Sequence, residues 1–207
     1  MYSIALPKGR LAEKTCALLT KLGYLSASGG DTRKLIFEDS AHGIRYFFVK
    51  PSDVPVYVEY GVADLGVVGK DILLENNPTV YELLDLNMGK CRICVAAPKG
   101  FVDDSSRPLR VATTFVNIAS EYFASANREV EIIKLNGSVE LAPLLNMTDV
   151  IVDLVETGTT LRENNLEIIK EIMPISARLI ANKASYKFKG DSIDALVADL
   201  KGELGSI

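Results

Sequence analysis

The sequence predicts an α/β fold, and three observations carry that expectation. Short β-rich apolar runs alternate with segments whose apolar residues recur at helical spacing. Breaker residues punctuate the joins, as where Met173-Pro174 closes an apolar stripe. A 207-residue chain that is 48% hydrophobic and 24% charged is long and apolar enough for a packed core. Strands are expected at 2–6, 35–37, 45–49, 65–68, 80–86, 92–97, 110–112, 131–135, 149–155 and 177–181, each a run of β-branched or aliphatic residues. Helices are expected at 11–22, 54–60, 118–126, 139–145, 161–173 and 193–204, each with an apolar stripe. The alternation implies a mostly parallel sheet. A breaker-rich stretch at 98–108 follows one apolar strand and opens a new strand–helix series, so a domain crossing is expected near residues 90–92 and a return near 175–182. Lobe I is then 1–90 plus 180–207 and lobe II 91–179, with a ligand cleft between them.

Composition excludes several functions. With 23 Lys+Arg against 27 Asp+Glu the net charge is −4, which argues against a nucleic-acid-binding face. One histidine, His42, rules out a multi-histidine metal site, and its setting in Asp39-Ser40-Ala41-His42-Gly43 reads as a hairpin turn. The three cysteines cannot all pair, and Cys91 and Cys94 lie on an expected strand where i and i+3 face opposite ways. No apolar run approaches a membrane span, and the start of the chain has no signal-peptide pattern, so a cytoplasmic protein is expected.

Four segments could carry chemistry. The sharpest runs from Asp149 to Leu161, where an apolar strand ends in Asp153 and Glu156, turns through Thr157-Gly158-Thr159-Thr160 and opens a helix. Backbone N–H groups and three hydroxyls around a glycine suit a phosphate, and the two acids suit sugar hydroxyls or a hydrated Mg²⁺. A helix cap would need one Thr, not three. The turn is neither a Walker loop nor a GxGxxG fingerprint. Second, Lys8, Gly9 and Arg10 follow the first strand, where open α/β sheets bind ligands, and two cations there oppose the helix dipole unless an anion joins them. Arg33, Arg45 and Lys50 could add charge. Third, Asp64-Leu65-Gly66 could bring main chain close to a flat base, although glycines beside a core strand are common. Fourth, Asn136-Gly137-Ser138-Val139-Glu140 offers Ser138 as a helix N-cap.

Taken together, five segments in order resemble ATP phosphoribosyltransferase of histidine biosynthesis: Ala5-Leu6-Pro7-Lys8-Gly9-Arg10-Leu11, Asp53-Val54-Pro55-Val56-Tyr57-Val58-Glu59, residues 61–69, Asn136-Gly137-Ser138-Val139-Glu140-Leu141-Ala142-Pro143, and residues 153–161. The resemblance implies a two-lobed periplasmic-binding-protein-like fold of type II. It also implies transfer of the phosphoribosyl group of phosphoribosyl pyrophosphate to N1 of ATP, with Mg²⁺. On that resemblance Asp153, Glu156, Thr157, Gly158, Thr159, Thr160 and Leu161 bind phosphoribosyl pyrophosphate, Asp153 and Glu156 also facing the metal. Lys8, Gly9, Arg10, Arg33, Lys50, Asp64, Leu65, Gly66, Ser138 and Glu140 bind ATP, and Lys8, Arg10 and Arg33 are catalytic. Lys50 stands where relatives carry Arg, and an ammonium cannot reproduce a bidentate guanidinium contact. The chain ends without room for a regulatory domain, which implies the short form: a self-associating dimer working in a hetero-oligomer with a histidyl-tRNA-synthetase-like regulatory subunit. A solute-binding protein of the same fold and a salvage phosphoribosyltransferase are the competing readings.

Overall fold

A computed structural model describes residues 2–26 and 35–205. Arg33 lies outside the described residues. The chain forms two compact units: Met1–Leu73 with Asn77–Gly89 and Ser176–Ile207, and Leu74–Asn76 with Lys90–Ile175.

The first unit is built on β1 (Tyr2–Pro7), β2 (Ile36–Asp39), β3 (Ile44–Val49), β4 (Leu65–Gly69), β5 (Tyr81–Asp85) and β11 (Ala177–Ala181), in spatial order β2-β3-β1-β4-β11-β5. Both faces are covered, which is why the strands read as nearly continuous apolar runs. Ile4 and Leu6 point to a core completed by α1 (Arg10–Lys21) and the second half of α7 (Lys183–Leu204). Ala5 points the other way, to Val54 and Val58 of α2 (Val54–Glu59) and Leu73 of α3 (Lys70–Asn76). Helix α1 ends where Gly23 adopts φ +77°, while the Tyr24 N–H closes on the Leu19 carbonyl at 2.8 Å. His42 does sit in the β2–β3 turn, its Nδ1 3.0 Å from the buried Asp39 carboxylate. Burial alone would push the Asp39 carboxyl up, but hydrogen bonds from His42 and Ser26 hold it well below the usual carboxylate range.

The second unit is built on β6 (Cys91–Pro98), β7 (Leu109–Thr113), β8 (Val130–Lys134), β9 (Val150–Val155) and β10 (Leu166–Ile175), ordered β10-β6-β9-β7-β8. Alternation sorts its side chains cleanly. Ile93, Val95, Val111, Val150 and Val152 pack against Ile118, Ala119 and Phe123 of α4 (Val116–Ser125). Cys94, Ala96, Ala112 and Ile151 pack against Val139, Ala142 of α5 (Leu141–Leu144) and Leu161 of α6 (Thr159–Glu163). Cys91 and Cys94 thus take opposite faces of β6, and neither they nor Cys16 form a disulfide.

Several expectations need correction. The sheets are mixed rather than mostly parallel: β1 pairs in parallel with β3 and β4, and β7 with β8 and β9, while the other five pairings are antiparallel. Strands β6 and β11 enter directly after the crossings between units, without the helical crossover that parallel pairing requires. Because β11 pairs with β4 and β5, the chain is back in the first unit at Ser176, so residues 176–179 belong there and not with lobe II. The helix expected at 161–173 is one short helix followed by a ten-residue strand. Asn165 takes a left-handed conformation (φ +54°) that ends α6, and β10 then runs antiparallel to β6. Helix α3 was not expected, α5 is shorter than expected, and α7 begins ten residues earlier than the expected 193, with a break at Lys189 (φ −126°, ψ 20°).

Candidate active site

In the second unit the functional loop hangs from the central strand. Strand β9 is anchored where it begins: Asp149 accepts from Arg107 Nη1 (2.8 Å), from Arg110 Nη2 (2.8 Å) and from the Arg110 N–H (3.0 Å). These guanidinium contacts hold the Asp149 carboxyl well below the usual carboxylate range. Val150, Ile151 and Val152 are fully buried, so the far end of β9 emerges at a fixed place. There Glu156 and Thr157 lead into Gly158, whose φ of +73° is a left-handed turn that glycine adopts without strain, and α6 starts at Thr159. The first amides of a helix have no partner within it, and a glycine beside them allows close approach of an anion.

The loop's side chains are tied to one another. Thr157 Oγ1 and Thr159 Oγ1 lie 3.0 Å apart, and the Thr159 N–H reaches Thr157 Oγ1 at 3.4 Å. Arg162 donates from Nη1 to the Thr157 carbonyl and from Nη2 to Thr159 Oγ1, both at 3.0 Å. Glu140, Asp153, Glu156, Thr157, Gly158, Thr159, Thr160 and Leu161 line one pocket, about 540 Å³ of space open to solvent. The structure therefore brings together all seven residues assigned from sequence to phosphoribosyl pyrophosphate, and adds Glu140. Leu161 itself is buried and contributes packing and main chain.

Burial pushes the Asp153 carboxyl up to about 6; the Glu140 carboxylate adds to the rise, and a hydrogen bond from the Leu154 N–H opposes it. At neutral pH Asp153 is therefore ionised yet poorly solvated, which favours a hydroxyl donor or a cation beside it. Among the described residues no three His, Cys, Asp or Glu side chains gather into a metal cage. Asp153 and Glu156 put two hard carboxylates on one pocket, the kind of oxygen donor that a largely hydrated Mg²⁺ carried on a phosphate ligand would take.

Ser138 does not cap a helix with its side chain. It takes φ +47° and offers its carbonyl to the Leu141 N–H at 3.2 Å, with α5 starting two residues beyond the expected point. Its neighbour Glu140 is the residue of that segment that reaches the pocket.

In the first unit Lys8, Gly9 and Arg10 are exposed at the C-terminal end of β1. The Lys8 N–H bonds the Val49 carbonyl at 2.9 Å, and the parallel register Pro7↔Val49 sets Lys8 beside Lys50 at the end of β3. Gly9 has φ +93° and ψ −161°, a region essentially closed to other residues, and no side chain caps α1. Lys8, Arg10 and Lys50 thus lie in the chain segments around a helix start that no side chain caps, a setting that favours an anion.

Asp64, Leu65 and Gly66 are placed elsewhere. Asp64 sits at the N-terminal end of β4, opposite Ser3, so it lies at the other end of the strands from Lys8. It is buried and already occupied: the Ser3 N–H donates at 2.8 Å and Lys189 Nζ reaches both carboxylate oxygens at 2.8 and 2.9 Å. Burial alone would raise this carboxyl, but bonds from Lys189, Ser185 and Ser3 hold it below the ordinary range. Leu65 is core, and a Cβ on Gly66 would fall 2.7 Å from Val58 and 2.8 Å from Val54. The close approach that Gly66 makes here is to α2.

Sequence reading missed Arg162. Its signal was a cation one turn beyond a glycine that has no side chain to block a path back over the loop.

The fold and the two anion-directed strand ends define a phosphate-ester-binding α/β protein. The chain belongs to the HisG family, ATP phosphoribosyltransferase, whose model matches residues 50–202. It is 62% identical over 203 residues to the ATP phosphoribosyltransferase of Brachyspira hyodysenteriae, spanning 97% of this chain and 98% of that one. Among solved structures it resembles the ATP phosphoribosyl transferase (HisG:HisZ) complex from Thermotoga maritima, at 37% identity and a TM-score of 0.86 over the full length of both chains. The periplasmic aliphatic sulphonate binding protein SsuA from Escherichia coli covers 98% of this chain and is matched over 68% of its own length, with a TM-score of 0.63 at 10% identity, so the two share a fold. No helix among the described residues is long and apolar enough to cross a membrane.

Proposed function

We infer that this protein transfers the 5-phosphoribosyl group of phosphoribosyl pyrophosphate to N1 of ATP, releasing pyrophosphate, as the first step of histidine biosynthesis. The observation that carries this reading is the Thr157-Gly158-Thr159-Thr160 turn closing β9 in one pocket with Asp153 and Glu156. Its amides and hydroxyls suit the 5-phosphate, and the carboxylates suit ribose hydroxyls. In the reaction the C1′–oxygen bond breaks, its electron pair leaves with pyrophosphate, and the adenine N1 lone pair forms the new bond to C1′. N1 has no proton to lose, so no general base is assigned. What the protein must supply is alignment and charge compensation for the leaving group. Lys8 and Arg10 are suited to the second task, and Lys50 beside Lys8 adds charge without a fork-shaped contact. Mg²⁺ held through substrate by Asp153 and Glu156 would neutralise further phosphate charge.

The full-length likeness to a chain solved as a HisG:HisZ complex supports a HisZ-type regulatory partner, similar to a histidyl-tRNA synthetase, in a hetero-oligomer. Three cysteines outside any disulfide suit a reducing cytoplasm. The test is incubation with phosphoribosyl pyrophosphate and Mg²⁺ plus either ATP or free adenine, with partner present, following the ultraviolet change of an N1-substituted adenine. Turnover with ATP is expected. Turnover of adenine alone, or tight binding without turnover, would overturn the reading in favour of a salvage enzyme or a binding protein.

A further inference from the structure

We propose that Arg162 is a positioning residue that straps the phosphate loop into its binding shape and orders its hydroxyl protons. This rests on the reading of that loop as the phosphoribosyl pyrophosphate site. The geometry is specific. From within α6 the guanidinium reaches back across Gly158, a Cβ on which would lie 3.4 Å from Nη1, and ends on the Thr157 carbonyl and Thr159 Oγ1, both at 3.0 Å. One fork therefore closes the turn from both sides of the glycine.

The proton inventory explains why that matters. Thr157 and Thr159 hold two hydroxyl protons between them. The Arg162 N–H takes a lone pair of Thr159 Oγ1, and the Thr159 N–H leans on Thr157 Oγ1. With the two oxygens 3.0 Å apart, one proton is used between them, whichever oxygen donates. The other proton remains for a ligand. Arg162 has no acceptor lone pair, so it fixes Thr159 Oγ1 as an acceptor on one side, and whichever threonine does not donate within the pair keeps its proton for the pocket. Without the strap the Thr157 carbonyl and Thr159 Oγ1 lose the donor they share, and the turn is no longer held closed before the phosphate arrives.

Two properties separate a strap from a simple phosphate-binding cation. The effect must depend on the two-pronged shape and not on charge alone, because an ammonium cannot span a carbonyl and a hydroxyl in fixed geometry. It must also act through Thr159.

The experiment measures KM for each substrate and direct binding of phosphoribosyl pyrophosphate, using the full chain with its HisZ-type partner. Arg162→Ala is expected to raise KM for phosphoribosyl pyrophosphate roughly 10- to 100-fold, the scale of a lost charge-assisted contact, with KM for ATP within about twofold of the parent. Arg162→Lys should recover little of that loss. Adding Arg162→Ala to Thr159→Ala should cost far less than adding it to the parent. The side chain is exposed, so these variants should fold. Unchanged affinity in Arg162→Ala, full rescue by Lys, or additive effects with Thr159→Ala would each overturn the strap. A parent enzyme that binds phosphoribosyl pyrophosphate and reacts with ATP keeps the functional reading intact whichever way these variants fall.

Discussion

At the scale of single residues, Asp153 shows function opposing stability. Its carboxyl ionises near 6 in the folded chain, against about 3.8 for an ordinary aspartate, because burial and the Glu140 carboxylate penalise the charge. The folded state therefore holds a proton that the unfolded state releases between those values. Stability falls as pH rises from about 4 to about 6, and stays at the lower level above. Asp153→Asn removes the penalty while keeping the shape. The variant should melt higher than the parent at pH 7.5 and together with it at pH 4, at about 2–4 °C per kcal/mol for a chain of this size. Its transfer activity should fall at least tenfold, since on the proposed function the carboxylate faces the ribose hydroxyls. Thermal melts from pH 4 to 8 decide it: an Asn variant less stable than the parent at pH 7.5 would show that Asp153 is held by stabilising contacts instead. Asp153 and the threonines were readable in the sequence because every part of that site is local, a strand end, a glycine and the first helical turn. Asp64 lies apart from Lys8 for a physical reason. It precedes its strand, and in a parallel pair that puts it at the end opposite the ligand-binding edge.

At the scale of elements, the packing of α2 on β4 turns on one missing side chain. Gly66 pairs with Ala5 of β1 and Ile180 of β11, and the space its Cβ would fill is taken by Val54 and Val58. Gly66→Ala must push the helix off the sheet, at a cost of about 1–3 kcal/mol for overpacking. Denaturant unfolding should show that loss while KM for ATP in the folded protein stays within about twofold. A raised KM at unchanged stability would return Gly66 to the ATP site. The same scale shows why β10 was hidden. Ile168, Ile169, Ile172 and Met173 satisfy a helical stripe as well as a bulged strand, and the register shifts between Ile168 and Lys170 and between Glu171 and Met173 break the two-residue alternation that marks a strand. What decides in favour of the strand is the Asn165 helix stop, the isoleucine-rich run and a Pro174 tolerated at the sheet's edge. Central strands such as β1, β6 and β9 carried no such ambiguity, because their apolar runs are short and bounded by turns.

At the scale of the whole molecule, the described elements sort into two compact units. The second half of α7 places Ile193, Leu196, Val197 and Leu200 in the core of the first unit, up to a few residues from the last one described. Each sheet has helices on both faces, and no third unit exists among the described residues to hold an effector. Feedback by histidine, on the proposed function, is assigned to a HisZ-type partner, because the chain is matched over its full length to one solved as a HisG:HisZ complex, and such a partner would act by favouring one state of the assembly over another. The purified chain should show weak transfer that histidine does not change. Titrating in its HisZ-type partner should raise the rate saturably, and only then should histidine inhibit. Pyrophosphate release, measured with and without histidine at each partner concentration, checks both halves. Inhibition of the isolated chain at the histidine concentration that stops the complex would place the effector site within these two units and overturn the assignment of control to the partner.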